Sequence, residues 1–229
     1  MILHVLERAL SARNVARAIC ATDDQRVLDA VLSAGFEAKM TSATHASGSD
    51  RLAEVAATLE DAEVIVNLQG DEPLISPQTI ERAVDELLKD ANAKIVTTSE
   101  EIAEASDVLS ADVVKVVTDG AGRALYFSRS PVPFPRDAVR RYGTLLAALE
   151  IEPRLLASFR KHTGLYVYRH SFLLEYTRWP QSTLERAETL EQLRALERGI
   201  EIKVIAAEAV SIGVDTKQDL ERVRKILEA

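Results

Sequence analysis

Five short stretches carry side chains able to do chemistry. The first is Glu63-Val-Ile-Val-Asn-Leu-Gln-Gly-Asp-Glu-Pro73. Its apolar run, Val64 to Leu68, is rich in β-branched residues and stops at Gly70 and Pro73, so it reads as a strand buried on both faces that ends in a tight turn. Asp71 then stands just outside the carboxyl end of that strand, where open α/β sheets bind their ligands. Taken alone, Asp71 and Glu72 are equally an acidic pair on a solvated loop. The second stretch is Thr44-His-Ala-Ser-Gly-Ser-Asp-Arg51, a helix opening with Ser47 or Ser49 as N-cap. A Ser-Gly turn there also leaves backbone N–H groups and the positive end of the helix dipole open to an anion. The third, His162-Thr-Gly-Leu-Tyr166, sets a His and a Tyr on one strand, where packing would account for both. The fourth is Glu191-Gln192, in a helix whose Leu190, Leu193 and Leu196 form the buried face and leave that pair in solvent. The fifth, Gly213-Val-Asp-Thr216, opens the last helix with Asp215 or Thr216 as N-cap.

The elements that must hold these residues alternate in type. Apolar periodicity predicts helices over 2–11, 24–33, 49–59 and 77–89, with strands near 17–21, 36–40, 64–68 and 94–98. Strand alternating with helix argues for a mostly parallel, three-layer α/β/α sheet. Farther on, 112–119 and 123–128 read as two strands joined by the hairpin signal Asp119-Gly-Ala-Gly122. Pro131, Pro133 and Pro135 then break regular structure, and 136–160 mixes loop with helix. A strand at 162–169, a helix at 171–177, a long helix from Ser182 to Arg198, a strand at 201–207 and a helix at 216–227 complete the chain. One domain of 229 residues, with a β-rich excursion near 112–170, is the expected organisation.

Composition removes several classes. The net charge of −8 has the wrong sign for a nucleic-acid binder. An anionic substrate therefore needs a metal or a few placed Arg and Lys. Cys20 is the single cysteine, which excludes a disulfide framework and a cysteine metal site. No apolar run approaches a membrane span, and the start, Met1-Ile-Leu-His-Val-Leu-Glu-Arg8, is too short and too soon charged for a signal peptide. A cytoplasmic enzyme with no membrane insertion is the default expectation.

Gln69-Gly-Asp-Glu-Pro73 after an apolar strand resembles the metal-binding signature of the 3-deoxy-manno-octulosonate (KDO) cytidylyltransferases, or CMP-KDO synthetases. Thr44–Arg51 is similar to that family's His-x-Ser-Gly-Thr-Asp/Glu-Arg motif, with Ser49 where Thr is usual. The resemblance implies a Rossmann-like nucleotidyltransferase fold and transfer of CMP from CTP to KDO for lipopolysaccharide biosynthesis. It implies that Ser47, Gly48 and Arg51 line the cytosine pocket. It likewise implies that Gln69, His162, Tyr166, Glu191 and Gln192 hold the sugar acid. Asp71 and Asp215 would ligate Mg²⁺, for which a pair of hard carboxylates bridging phosphates is suited. The excursion would help build a homodimer. A related acid sugar, such as an amino-KDO or a sialic-type acid, and a non-catalytic sugar- or nucleotide-binding remnant are the alternatives.

The chain departs from the family pattern at its start. Members carry a first strand and a Ser-x-Arg-Leu-Pro-Gly-Lys loop that cradles the triphosphate, and Met1–Ala9 matches the helix after that loop. Met1 is therefore either internal to a longer product, the reading that the other family landmarks favour, or the start of a truncated, inactive one. Protein made from Met1 is expected to be poorly soluble or loosely folded and without cytidylyl transfer, and protein extended upstream to gain both a stable fold and activity.

Overall fold

The computed structural model describes residues 1–45, 47–214 and 216–228. In chain order the elements are α1 (Ile2–Leu10), β1 (Ile19–Thr22), α2 (Gln25–Ser33), β2 (Glu37–Met40), α3 (Gly48–Ala56), β3 (Val64–Asn67), α4 (Pro77–Lys89) and β4 (Ile95–Glu101). They continue with α5 (Ala105–Leu109), β5 (Lys115–Thr118), β6 (Ala124–Ser128), α6 (Arg136–Tyr142), α7 (Leu145–Ile151), a 3₁₀ turn at Pro153–Ser158 and β7 (Arg160–Arg169). Last come α8 (His170–Tyr176), α9 (Thr183–Glu188), α10 (Leu193–Leu196), β8 (Ile202–Ala206) and α11 (Lys217–Leu227). Pairing gives a two-stranded sheet, β1-β2, and a six-stranded sheet in the order β6-β5-β7-β4-β8, with β3 also on β7. The chain divides into two compact units, one of residues 1–96, 164–179 and 207–229, the other of 97–163 and 180–206.

In the first unit β1 and β2 run parallel, with Cys20 beside Ala38. Leu6 of α1, Cys20 and Val31 of α2 pack into one apolar cluster. The helices begin where their caps say they should. Asp24 accepts from the Arg26 amide, Ser47 from that of Asp50, and Ser76 from that of Thr79. Pro77 sits in the first turn of α4, where its missing N–H costs nothing, and Ile80, Ala83 and Leu87 bury its inner face completely. Strand β3 runs antiparallel to β7, with Ile65 opposite Tyr168 and Asn67 opposite Tyr166. It is not buried on both faces as its composition suggests, since only Ile65 is buried and its neighbours are half-buried. The reason is a groove of about 830 Å³ lined by Val5 and Ala9 of α1, residues of β1, Val64 and Val66 of β3, and Val84 of α4. Among the described residues β1 pairs only with β2, and β3 only with β7.

In the second unit β5 and β6 form the expected hairpin, closed by Gly122 in the left-handed region at φ 76°. Ile102, Val108, Leu149 and Phe159 form its apolar cluster. Helix α5 is too short for periodicity to reveal. The long helix expected from Ser182 to Arg198 is instead two short ones. Thr189 takes a left-handed conformation at φ 54°, and its amide caps α9 on the Glu185 carbonyl. A leucine repeat does not register such a break, because the buried Leu190 and Leu193 both lie past it.

Candidate functional site

In the first unit the nucleotide-side candidates gather at the carboxyl ends of β1 and β2. Ser47 caps α3, Gly48 is exposed, and among the described residues nothing lies within 4 Å of where a Gly48 side chain would be. Arg51, one turn later, is held on two sides. Its Nη2 pairs with Asp23 just past β1 at 3.0 Å, and its Nη1 donates to Thr41 Oγ1 just past β2 at 2.5 Å. The fork is thus aimed before any ligand arrives, leaving little conformational entropy to lose on binding.

Asp71 lies past the carboxyl end of β3, as its sequence position implies. The loop before α11 is tied to it. The Val214 amide donates to the Asp71 carbonyl at 2.9 Å, and Ser211 Oγ donates to the Glu72 carboxylate. Asp215 itself lies outside the described residues, but its neighbour Val214 is hydrogen-bonded to Asp71. Among the described residues no group of three or more His, Cys, Asp or Glu side chains could hold a metal.

The β3–β7 pairing sets Tyr166 opposite Asn67 and Gly164 beside Gln69. Tyr166 stacks on Tyr168, ring centres 5.8 Å apart. Gly164 makes room for Gln69, since a β-carbon there would sit 3.0 Å from Gln69 Cγ. The room that this glycine leaves for Gln69 was not legible in sequence, where it reads as one small residue in a strand.

The remaining sugar-side candidates lie in the second unit. His162 Nε2 is 2.9 Å from Thr97 Oγ1, and the ring meets the edge of Phe127 at 5.0 Å. Burial pushes its pKa down to about 3, because a charged imidazolium would lose its water there. His162 is therefore neutral near pH 7, with one nitrogen donating and one accepting. Glu191 and Gln192 follow the break at Thr189. Gln192 is 6% exposed, not solvated as leucine spacing suggested, and its Nε2 is a buried donor without a partner among the described residues. A buried amide left unsatisfied is costly, and a ligand oxygen placed there would recover that cost.

Sequence reading missed what holds this turn. Glu185 and Arg194 form a buried ion pair, each side chain 3% exposed, and Glu188 accepts from Ser128 Oγ at 2.7 Å and from the Arg129 amide at 3.0 Å. One signal was present. Ser182-Thr-Leu-Glu185 is a capping-box pattern, and both of its hydrogen bonds form.

A family profile described as "Cytidylyltransferase" matches residues 1–202. The 3-deoxy-manno-octulosonate cytidylyltransferase of Trichlorobacter lovleyi is 51% identical over 225 residues, 98% of this chain and 87% of the relative. That of Solibacter usitatus is 48% identical over 229 residues, 100% of this chain and 84% of the relative. Among solved structures, CMP:2-keto-3-deoxy-manno-octonic acid synthetase complexed with CTP matches at a TM-score of 0.86 and 40% identity, covering 99% of this chain and 87% of that one. A 4-diphosphocytidyl-2C-methyl-D-erythritol synthase from Anaerococcus prevotii, at a TM-score of 0.58 and 13% identity over 100% and 86% of the two chains, shares the fold alone. The three-layer, Rossmann-like α/β class expected from the alternation of elements is the class of these structures.

Proposed function

The chain belongs to the cytidylyltransferase family, and from that premise we propose its reaction: transfer of CMP from CTP to KDO, releasing pyrophosphate and supplying activated KDO for lipopolysaccharide biosynthesis. The observation that carries this reading is identity of 51% sustained through 98% of the chain with a relative of that name. In the reaction the anomeric hydroxyl of KDO forms a bond to the α-phosphorus of CTP. The bond from that phosphorus to the β-phosphate oxygen breaks, and the hydroxyl proton is lost. Such chemistry rests mainly on positioning and on neutralising phosphate charge.

The residue roles are part of the proposal. Ser47 and Gly48 present the open N-terminus of α3 to the nucleotide, and Arg51, already fixed by Asp23 and Thr41, meets its base side. Gln69 and Tyr166, with His162, Glu191 and Gln192, take the sugar acid. Support for Gln192 comes from its unpartnered Nε2, and for His162 from a neutral ring able to donate and accept. Asp71 and Asp215 would hold Mg²⁺. The hard-oxygen donor set fits that ion, and the Val214–Asp71 hydrogen bond keeps the two loops together. Bound there, Mg²⁺ would supply charge neutralisation for the phosphates of a nucleotide carried by a chain of net charge −8. A homodimer is supported by exposed Phe134, Leu146 and Ile151, and a cytoplasmic site of action by the use of CTP.

The test is pyrophosphate release with CTP, KDO and Mg²⁺. Release that requires KDO is expected of protein extended upstream by the strand and loop, and Asp71→Asn in that protein should lower it by about a hundredfold, roughly 2.7 kcal/mol of barrier. A wild-type rate in Asp71→Asn at limiting Mg²⁺ would remove Asp71 from the metal site. Faster turnover with an amino-KDO or a sialic acid would reassign the sugar. CTP binding without turnover of any acid sugar would leave a nucleotide-binding protein.

A further inference from the structure

Glu185 and Arg194 are not among the residues assigned to a substrate, yet they are among the most enclosed charged groups of the second unit. Both side chains are 3% exposed, and the contact is bidentate, with Arg194 Nε donating to Glu185 Oε2 at 2.8 Å and Nη2 to Oε1 at 2.5 Å. A pair this buried recovers its desolvation cost only with good geometry and further hydrogen bonds, and it is weak ground for a stability role. Apolar side chains of similar volume would often serve stability as well. What the pair does is join two short helices across a turn. Glu185 is the N3 residue of α9, and its Oε2 also accepts from the Ser182 amide at 3.0 Å. Arg194 lies in α10. Between them are Thr189 in its left-handed conformation, then Leu190, Glu191 and Gln192.

Backbone hydrogen bonds converge on the same turn. The Leu190 amide donates to the Glu185 carbonyl at 3.3 Å, and the Arg194 amide to the Glu191 carbonyl at 3.0 Å. The other side of the turn is closed by Glu188 on Ser128 and by Arg129 Nε on the Glu188 carbonyl at 2.8 Å. The turn thus ends with Gln192 94% buried as a whole residue, since 6% is exposed, and with its Nε2 unpartnered. Two helices of six and four residues have little stability of their own. A side-chain staple is what keeps such a donor aimed while it has no partner.

We infer that Glu185 and Arg194 are positioning residues for sugar-acid recognition, holding the Thr189–Gln192 turn so that Glu191 and Gln192 meet KDO in a preformed geometry. This rests on the assignment of Gln192 to the sugar site. It adds that affinity for the sugar acid depends on a staple that never touches it, whereas affinity for CTP does not.

The experiment measures dissociation constants for KDO and for CTP by calorimetry, with thermal unfolding alongside, for the wild type and for Gln192→Ala, Glu185→Gln, Arg194→Lys and Ser182→Ala. The expected result is a KDO dissociation constant raised about tenfold or more in Glu185→Gln and Arg194→Lys, with CTP changed less than about twofold, because small misplacements of a recognising group cost that much. Ser182→Ala, which loses only the cap, should move in the same direction by less, and it carries the test if the other two variants fail to fold. Equal weakening of both ligands in folded variants would make the pair merely structural and overturn the inference. KDO binding lost in Gln192→Ala but kept in folded Glu185→Gln would overturn the staple and leave the site standing. Unchanged KDO binding in Gln192→Ala would instead refute the sugar-site assignment.

Discussion

His162 carries its hydrogen bonds as a neutral ring, and that has a consequence with a definite sign. Its folded pKa, about 3, lies below the ordinary value of 6.5, so the unfolded chain binds more protons between those limits. The stability it contributes is present above pH 6.5 and is lost as pH falls toward 3. The unfolding free energy of the wild type relative to His162→Gln should therefore decline over that window, as denaturant titrations at several pH values would show. Sugar binding should show no inflection near pH 6.5 from this residue, and an inflection that disappears in His162→Gln would contradict the neutral-ring assignment. Gly164 is a second residue with a definite test. Alanine there meets Gln69 Cγ at 3.0 Å, so the neighbour must give by a few tenths of an ångström. Gly164→Ala should weaken KDO binding severalfold, with a smaller effect on CTP. No change in KDO affinity would show that the position of Gln69 is immaterial.

Helix starts separate stability from function at the scale of elements. Ser47 and Ser76 do the same capping work, on α3 and α4, each accepting from the amide three residues on. Replacing either by Ala should cost about 1 kcal/mol of stability. The two should part in ligand binding. Ser76→Ala leaves CTP affinity unchanged, while Ser47→Ala lowers it, because only the opening of α3 faces the proposed nucleotide site. Equal CTP affinities in the two variants would reduce Ser47 to a cap. Lys115 is another element-scale device. Fully buried on β5, its ammonium donates to the carbonyls of Ser110, Val113 and Arg129, tying the segment before β5 to the end of β6. Burial lowers its pKa, and the three carbonyls replace the water it gives up.

The groove in the first unit shapes how the whole molecule should respond to added volume. Ala9 lines it, whereas Ala83, equally well buried, does not. Ala83→Leu forces extra methyl groups into a filled core and should cost about 1–3 kcal/mol. Ala9→Leu can extend into the groove and should be neutral or mildly stabilising. Thermal unfolding of the two variants distinguishes these outcomes, and equal losses would mean that the groove is not there in solution. The apolar lining also implies binding of a hydrophobic fluorophore by the native protein, reduced in Ala9→Leu.

Much of this protein was legible in one chain. Alternating periodicity located most elements, the Asp and Ser caps placed the starts of α2 and α3 within a residue or two, and the apolar run ending in Gln69-Gly-Asp-Glu-Pro73 put Asp71 at a strand's carboxyl end. These are local signals, since caps, turns and apolar faces are set by residues one to four positions apart. What tertiary structure decided is whatever depends on residues far apart. The break at Thr189 was invisible because the leucines that suggested a helix, Leu190, Leu193 and Leu196, all lie past it, while the Glu185–Arg194 pair and the Glu188 contacts to Ser128 and Arg129 favour a turn. Gln192 became a buried, unpartnered donor for the same reason. The space at Gly164 exists only because β7 pairs with β3, and Arg51 is aimed only because Asp23 and Thr41 follow adjacent parallel strands. Sequence spacing fixes which face of its own element a side chain occupies, and only the packing of distant elements decides what that face meets.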